Sequence, residues 1–476
     1  MDYSDQDPSD QEDDGSDDDD IPDDWTASFM SGLQGIPGIP DPSAIADQIR
    51  DFLDADGNLD IDRMIGGLRS ALGEALIGTD PTSGINWQTT TDSINQLVAA
   101  MGDDPVPPPP PSEMLDAFSL AGSWLDQTVS FDGSALHLEL WNRRRWVTMT
   151  MNQWQSICAP IVVRLGDALI ELASESLTTD ADAMPGLASM SEMIGPMMRS
   201  TAGQFYAARL SRVVADLAGA TLSGTDAALP LVPPPTVALL PLNIEAFTAG
   251  LVTPATDTNV FLLMREIARQ RLFTATPWLR PQILALIEHY AREIVIDPAA
   301  LREGFEFDQL DQMSADRLAK ISAQVEDRLF RPAATPEQRA ILTRLETLIS
   351  LVEGWVETVV TQAAAPWLAS VSALNETMQR RRAAHGPTER ALKALLGINL
   401  GSRRVREAAN LWAALSHDRG IEKRDAIWRH PDMLPQASDL DDVLGFVART
   451  ADGAAPDAMD TQLNWLVEQW RKDAND

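Results

Sequence analysis

One cysteine, Cys158, stands in 476 residues. A lone thiol excludes an internal disulfide and a Cys-x-x-Cys metal knuckle, and nothing in the composition argues for an oxidising compartment. No apolar run reaches the roughly eighteen residues that a membrane-spanning helix needs. The opening Asp2-Tyr3-Ser4-Asp5 is the reverse of the cationic start of a secretory leader. The expected address is the cytoplasm, without membrane association. Histidine is scarce as well: His137, His289, His385, His417 and His430 are all there are. No two of them share the one-turn spacing that would put two imidazoles on one metal. Each is expected as a surface or hydrogen-bonded histidine, and Cys158 as a packed small hydrophobe. No internal repeat at a fixed period is visible.

Positive charge is the other shortage, with 37 Lys and Arg against 71 Asp and Glu and a formal net charge of -34. That sign disfavours non-specific nucleic-acid binding, which relies on cationic side chains displacing counterions from phosphate, and no nucleic-acid partner is expected. The imbalance is steepest at the start, where residues 1–24 hold 13 acidic and no basic residues. This stretch cannot offset the entropy of ordering, so it is expected as a disordered, solubilising tail; its functional rival is an acidic docking segment for a basic protein partner.

What is present is a 44% hydrophobic chain, long enough for a sizeable core. Residues 25–104 read as short amphipathic helices and loops, with Ile45, Ile49 and Phe52, then Met64, Leu68, Leu72 and Leu76, at helical spacing. Asp54 to Asp62 imitates a calcium loop but fails on register. Gly57 falls at the fourth loop position instead of the sixth, and Ile65 replaces the bidentate glutamate. A turn with helix-capping aspartates is expected there. Residues 105–112, rich in proline, read as a stiff spacer before a main domain over 113–476.

That domain is expected to be mainly α. Leu115, Phe118 and Leu125 mark one helix, and Trp154, Ile157, Ile161, Leu165 and Leu169 another. Between them Leu136 to Trp141 and Val147 to Met151 alternate, which predicts a small β-hairpin around Arg143-Arg144-Arg145. The arginine triplet is a candidate anion site, with a solvated turn as the plainer account. Residues 171–200 read as a flexible connection or loosely packed helices, and Gln204 to Leu222 as a helix. Ile341 to Val360 is the clearest helix: Ile341, Leu345, Leu348, Val352, Trp355 and Val359 recur every three or four residues, and Glu353 sits within a second apolar stripe beside them. Helical patterns follow at Leu392 to Leu400, Val405 to Leu415, Leu440 to Phe446 and Asp457 to Trp470. The 13 tryptophans mostly fall among Leu and Val and are expected in the core.

The chemistry is concentrated in Phe261 to Phe273, which follows Pro254 and has Thr256 or Asp257 placed to cap it. Arg265-Glu266-x-x-Arg269 has the layout of the zinc-protease H-E-x-x-H helix with arginine at both histidine positions. Positions one turn apart project together, so the two guanidiniums share a face with Leu262 and Leu272 and require carboxylates. Glu266 and Glu353 are the candidates, and Glu353, on its own apolar stripe, is the better one.

Asn243 to Phe247, Arg265-Glu266-x-x-Arg269, Phe273 and Pro277-Trp278-Leu279, with Leu351-Val352-Glu353-Gly354-Trp355 and Arg381-Arg382-Ala383-Ala384-x-Gly386-Pro387, resemble the zincin-like metallopeptidase type 2 family, a bacterial group of zinc-dependent metalloproteases. The likeness runs from about Met114 to about Arg449, in the same order. It implies a zincin-like multi-helix domain in which Arg265 and Arg269 occupy the two metal-ligand positions, Glu266 the base position and Glu353 the third-ligand position. Zinc is the family's cofactor; with both imidazoles replaced, no cofactor is expected here. The resulting expectation is a catalytically degenerate, metal-free pseudopeptidase that binds or scaffolds proteins. The alternative is a zinc-dependent hydrolase using Glu266 with ligands from elsewhere.

Overall fold

The apolar stripes become helices in the computed structural model, which describes residues 78–103, 109–179, 187–226, 229–294, 335–384, 386–398 and 403–450, excluding the side chains of 172–194 and 403. All of these belong to one compact unit, Ala75–Leu301 with Glu326–Asp476. A second unit, Met1–Glu74 with Arg302–Val325, lies outside the described residues. So do the acidic tail, the calcium-loop look-alike, the helices expected before residue 78, His385 and the expected helix from Asp457 to Trp470.

The described helices are α1 (Trp87–Ala100), α2 (Ser112–Leu125), α3 (Arg143–Thr179), α4 (Leu187–Ala220) and α5 (Pro241–Thr248). After them come α6 (Ala255–Ala275), α7 (Leu279–Arg292), α8 (Pro336–Ala364), α9 (Val371–Ala383) and α10 (Pro387–Leu396). The chain continues through α11 (Arg403–Ala426), two short 3-10 turns, α12 (Ala437–Asp441) and α13 (Val443–Arg449). The fold is mainly α, as the spacing predicts. α3 and α4 pack along one another, and α1 lies against both, so packing extends across the proline-rich stretch.

The expected hairpin is corrected. β1 (His137–Leu140) is a strand, but its partner is β2 (Thr236–Leu239), paired in parallel with His137 opposite Thr236 and Leu140 opposite Leu239. Val147 to Met151 belongs to α3. Its alternation is the start of a longer 3.6-residue stripe, Val147, Met151, Trp154, Cys158 and Ile161, all buried. Five residues are too few to separate the two periods. The Arg143 triplet begins that helix: the Arg143 and Arg144 amides donate to the Asp103 carboxylate at 3.0 and 3.1 Å, as an anion at a helix N-terminus should receive them. Arg143 Nε donates to Asn243 Oδ1 at 2.8 Å.

Trp141, Trp146, Trp154, Trp355, Trp412 and Trp428 are fully buried, whereas Trp367 is exposed and stacks on Trp124. Glycine decides one helix crossing. A Cβ on Gly354 would lie 2.6 Å from Ala409 N and 2.7 Å from Ala408 Cβ, so only its absence lets α8 and α11 approach this closely. Thr358 Oγ1 to Ala409 O (3.1 Å) and Trp412 Nε1 to Leu351 O (2.8 Å) pin the same crossing.

Candidate functional site

α6 is the axis of the molecule. It starts at Ala255 with Pro254 at the cap position, two residues before Thr256 and three before Asp257, the expected caps, and Asp257 instead accepts from Ser370 Oγ at 2.7 Å. Every residue from Phe261 to Phe273 is buried, including Arg265, Glu266, Arg269, Gln270 and Arg271. β2 and helices α2, α5, α8 and α9 surround it. A helix buried on all sides must neutralise and hydrogen-bond whatever polar groups it carries.

The two arginines converge on one carboxylate. Arg265 Nη2 donates to Glu353 Oε2 at 2.6 Å, and Arg269 Nε donates to Glu353 Oε1 at 2.8 Å. Arg382, arriving on α9, places Nη2 3.3 Å from Glu353 Oε2 and Nη1 3.5 Å from Glu357 Oε2. Glu353 sits at this focus because the stripe of α8 faces α6 and Gly354 faces α11. Glu266 faces elsewhere. It accepts from Ser223 Oγ (2.7 Å), from Thr225 Oγ1 (2.8 Å) and N (3.2 Å), and from Gln270 Nε2 (3.2 Å), with Arg269 Nη1 3.6 Å away. Next to it Asp226 accepts from Arg381 Nη1 (2.9 Å) and Leu222 N (3.1 Å).

Burial and pairing oppose each other throughout. Burial pushes the Glu353 carboxyl up, but the guanidiniums of Arg269, Arg265 and Arg382 outweigh it and hold the group well below the ordinary carboxylate range. Asp226 is lowered in the same way, burial being overcome by Arg381 and Arg269. Glu266 ends above its ordinary value because its desolvation outweighs Arg269 and the hydroxyl donors. Burial lowers Arg265 to about 10, with Glu353 as the main opposing influence. Arg269 is raised despite burial by Glu353, Glu266 and Asp226. The opposite directions follow from the partners: Arg269 has three carboxylates around it, while Arg265 leaves Nε and Nη1 without a hydrogen bond. Both stay cationic at neutral pH.

Zinc does not fit these residues. A charged guanidinium has no lone pair to donate. Glu353 already accepts on both oxygens, and so does Glu266. Among the described residues no group of three or more His, Cys, Asp or Glu could hold a metal ion. The four described histidines, His137, His289, His417 and His430, are all exposed.

A model of the zincin-like metallopeptidase family matches residues 85–447. The chain belongs to that family. Its fold is also similar to that of a crystal structure from Chloroflexus aurantiacus, described as a candidate hydrolase with a novel fold: TM-score 0.51, 17% identity, covering 77% of this chain and 98% of that one. No curated protein matches. No helix among the described residues of this zincin-like chain is long and apolar enough to cross a membrane.

All four residues singled out in the sequence lie in this cluster. The expected contact between the arginines and Glu353 is made directly, and Glu266 contributes only at longer range, to Arg269. Ser223, Thr225, Asp226, Glu357 and Arg382 were not singled out. Arg381-Arg382 stood in the recognised motif, and two adjacent cations before a Gly-Pro break were the available signal. The Ser223 to Asp226 turn carried none.

Proposed function

We propose that this chain is a metal-free member of the zincin-like metallopeptidase family that works by binding a protein or peptide, not by hydrolysis. The observation that carries the reading is the double acceptance by Glu353: guanidinium donors from Arg265 and Arg269 supply the positive charge that a metal would supply in a complete motif. The alternative, a hydrolase with Glu266 as base, finds no support in a carboxylate that is fully buried and already held by Ser223, Thr225 and Gln270. A general base must reach a water.

The acidic balance of the chain suits a basic protein partner in the cytoplasm. Elemental analysis of the purified protein after dialysis tests the central claim. We expect far less than one zinc per chain; a full equivalent retained through dialysis would overturn the reading.

A further inference from the structure

A cavity of about 560 Å³ opens where the start of α7, the N-terminal half of α8 and the 431–437 loop meet, apart from the arginine cluster. Trp278, Leu348, Leu434 and Pro435 are its apolar walls. Trp278 Nε1 donates to Trp428 O at 3.1 Å, which holds the indole in place. Some of the polar lining is already engaged. Thr343 Oγ1 and Thr347 Oγ1 donate back along α8 to Arg339 O and Thr343 O at 2.9 and 2.7 Å, and the Gln436 side chain caps α12. Arg344, Gln282 and Asp432 are not spent in this way. The exposed Arg344 guanidinium has no ion-pair or hydrogen-bond partner among the described residues, and neither does the side-chain amide of Gln282. His430 Nδ1 lies 3.3 Å from Asp432 Oδ2, but that nitrogen already accepts the Asp432 amide at 3.3 Å and so holds no proton for the carboxylate. Arg344 and Asp432 therefore line one cavity without pairing with each other.

A small-molecule site is a concavity with apolar walls and a few polar groups that fix the ligand's orientation. Here those groups are one cation, one anion and one neutral amide. Their complement is a molecule with a carboxylate, an ammonium, an amide and an apolar side chain, which describes a short peptide with both termini free. We propose that this cavity binds a dipeptide of apolar residues. Its carboxylate lies on Arg344, its ammonium on Asp432, its peptide group on Gln282 and its side chains against Trp278 and Leu348. A guanidinium can take both oxygens of a terminal carboxylate, and both terminal contacts are charge-assisted. Size agrees as well. The terminal charges of an extended dipeptide stand about 6 Å apart, which suits two protein charges too far apart to pair, and the cavity volume is within the usual range for a small ligand. Binding here is independent of the metal content of the α6 cluster, so a zinc result and a peptide result can fail separately.

Calorimetric titration of the full chain with leucyl-phenylalanine at neutral pH tests this. One site per chain with a Kd below about 1 mM is expected. The C-terminal amide of the dipeptide, its N-acetyl form and free phenylalanine should each bind about tenfold or more weakly, since each leaves a charged or polar group of the site unanswered. Arg344→Gln should weaken binding of the dipeptide about tenfold and leave binding of its C-terminal amide unchanged. Asp432→Asn should weaken the dipeptide similarly and leave the N-acetyl form unchanged. Both side chains are exposed, so both variants should keep the melting temperature of the unsubstituted protein. No binding of the dipeptide overturns the proposal. Any of the three analogues matching the dipeptide overturns it as well, and a match by free phenylalanine puts a single amino acid in the cavity. Unchanged dipeptide affinity in either folded variant places the binding elsewhere and also overturns it.

Discussion

Arg269 and Glu353, 84 residues apart in sequence, meet through a 2.8 Å hydrogen bond between two buried helices, and the other oxygen of the same carboxylate receives Arg265. The centre of this zincin-like protein is thus a cluster of fixed charges on α6, α8 and α9. Such a cluster depends on the presence of every partner.

Removing the carboxylate charge should therefore be costly. Glu353→Gln leaves Arg265, Arg269 and Arg382 buried without their shared counter-charge. Loss of one partner from a buried ion pair costs about 3–5 kcal/mol. Urea unfolding should show that decrease, and a loss below about 1 kcal/mol would mean that the cluster relaxes toward water.

Gly354→Ala tests the packing that holds Glu353 in place. The new methyl would meet Ala408 and Ala409 at 2.7 and 2.6 Å, in part against backbone that cannot rotate away. Overpacking of this kind costs about 1–3 kcal/mol. A lowered melting temperature is expected; an unchanged one would show that α11 can shift freely.

Chelation should leave the protein unaffected. Wild-type melting is expected to be the same with and without EDTA. By contrast, Arg265→His combined with Arg269→His, beside Glu353, would restore two imidazoles and a carboxylate, a three-ligand zinc set. That double variant should gain a zinc-dependent rise in melting temperature that EDTA reverses. No zinc response in a folded double variant would show that the backbone no longer holds ligand geometry.

Acid should destabilise the protein through Glu353 and Asp226. Both are lowered in the folded state, so the stability they contribute is complete above the unfolded value of about 4 and is lost as pH falls through their folded values. Glu266 is raised and works in the opposite direction, its contribution declining as pH rises from the unfolded value toward the folded one. Unfolding free energies measured from pH 3 to 7 should fall on the acid side, and Glu353→Gln should flatten that slope. An equally steep slope in the variant would assign the acid sensitivity elsewhere.

Much of the fold was legible because period and burial agree. Ile341 to Val359 reads as one stripe and lies buried in α8 over its length. The expected hairpin does not form because β1 pairs with a strand some hundred residues later, a non-local choice that alternation cannot express. Glu353 stood out as the one acid within an apolar stripe. Ser223 and Thr225 did not, since hydroxyls in a turn look alike whether they face water or a buried glutamate.

The sequence by itself determined that α6 carries two cations one turn apart on an apolar face, because helical periodicity places them there whatever surrounds the helix. It also determined that those positions offer no imidazole. The apolar stripe marks Glu353 as the leading candidate, but the contact of both arginines with that one carboxylate was decided only by tertiary structure, since a carboxylate on a helix face is committed to a partner only when packing buries it. The close approach at Gly354 and the position of α9 assigned Glu353 to Arg265, Arg269 and Arg382, and left Glu266 chiefly to the hydroxyls. Burial makes that assignment energetically sharp, because a charge withdrawn from water is held only by the partners in reach.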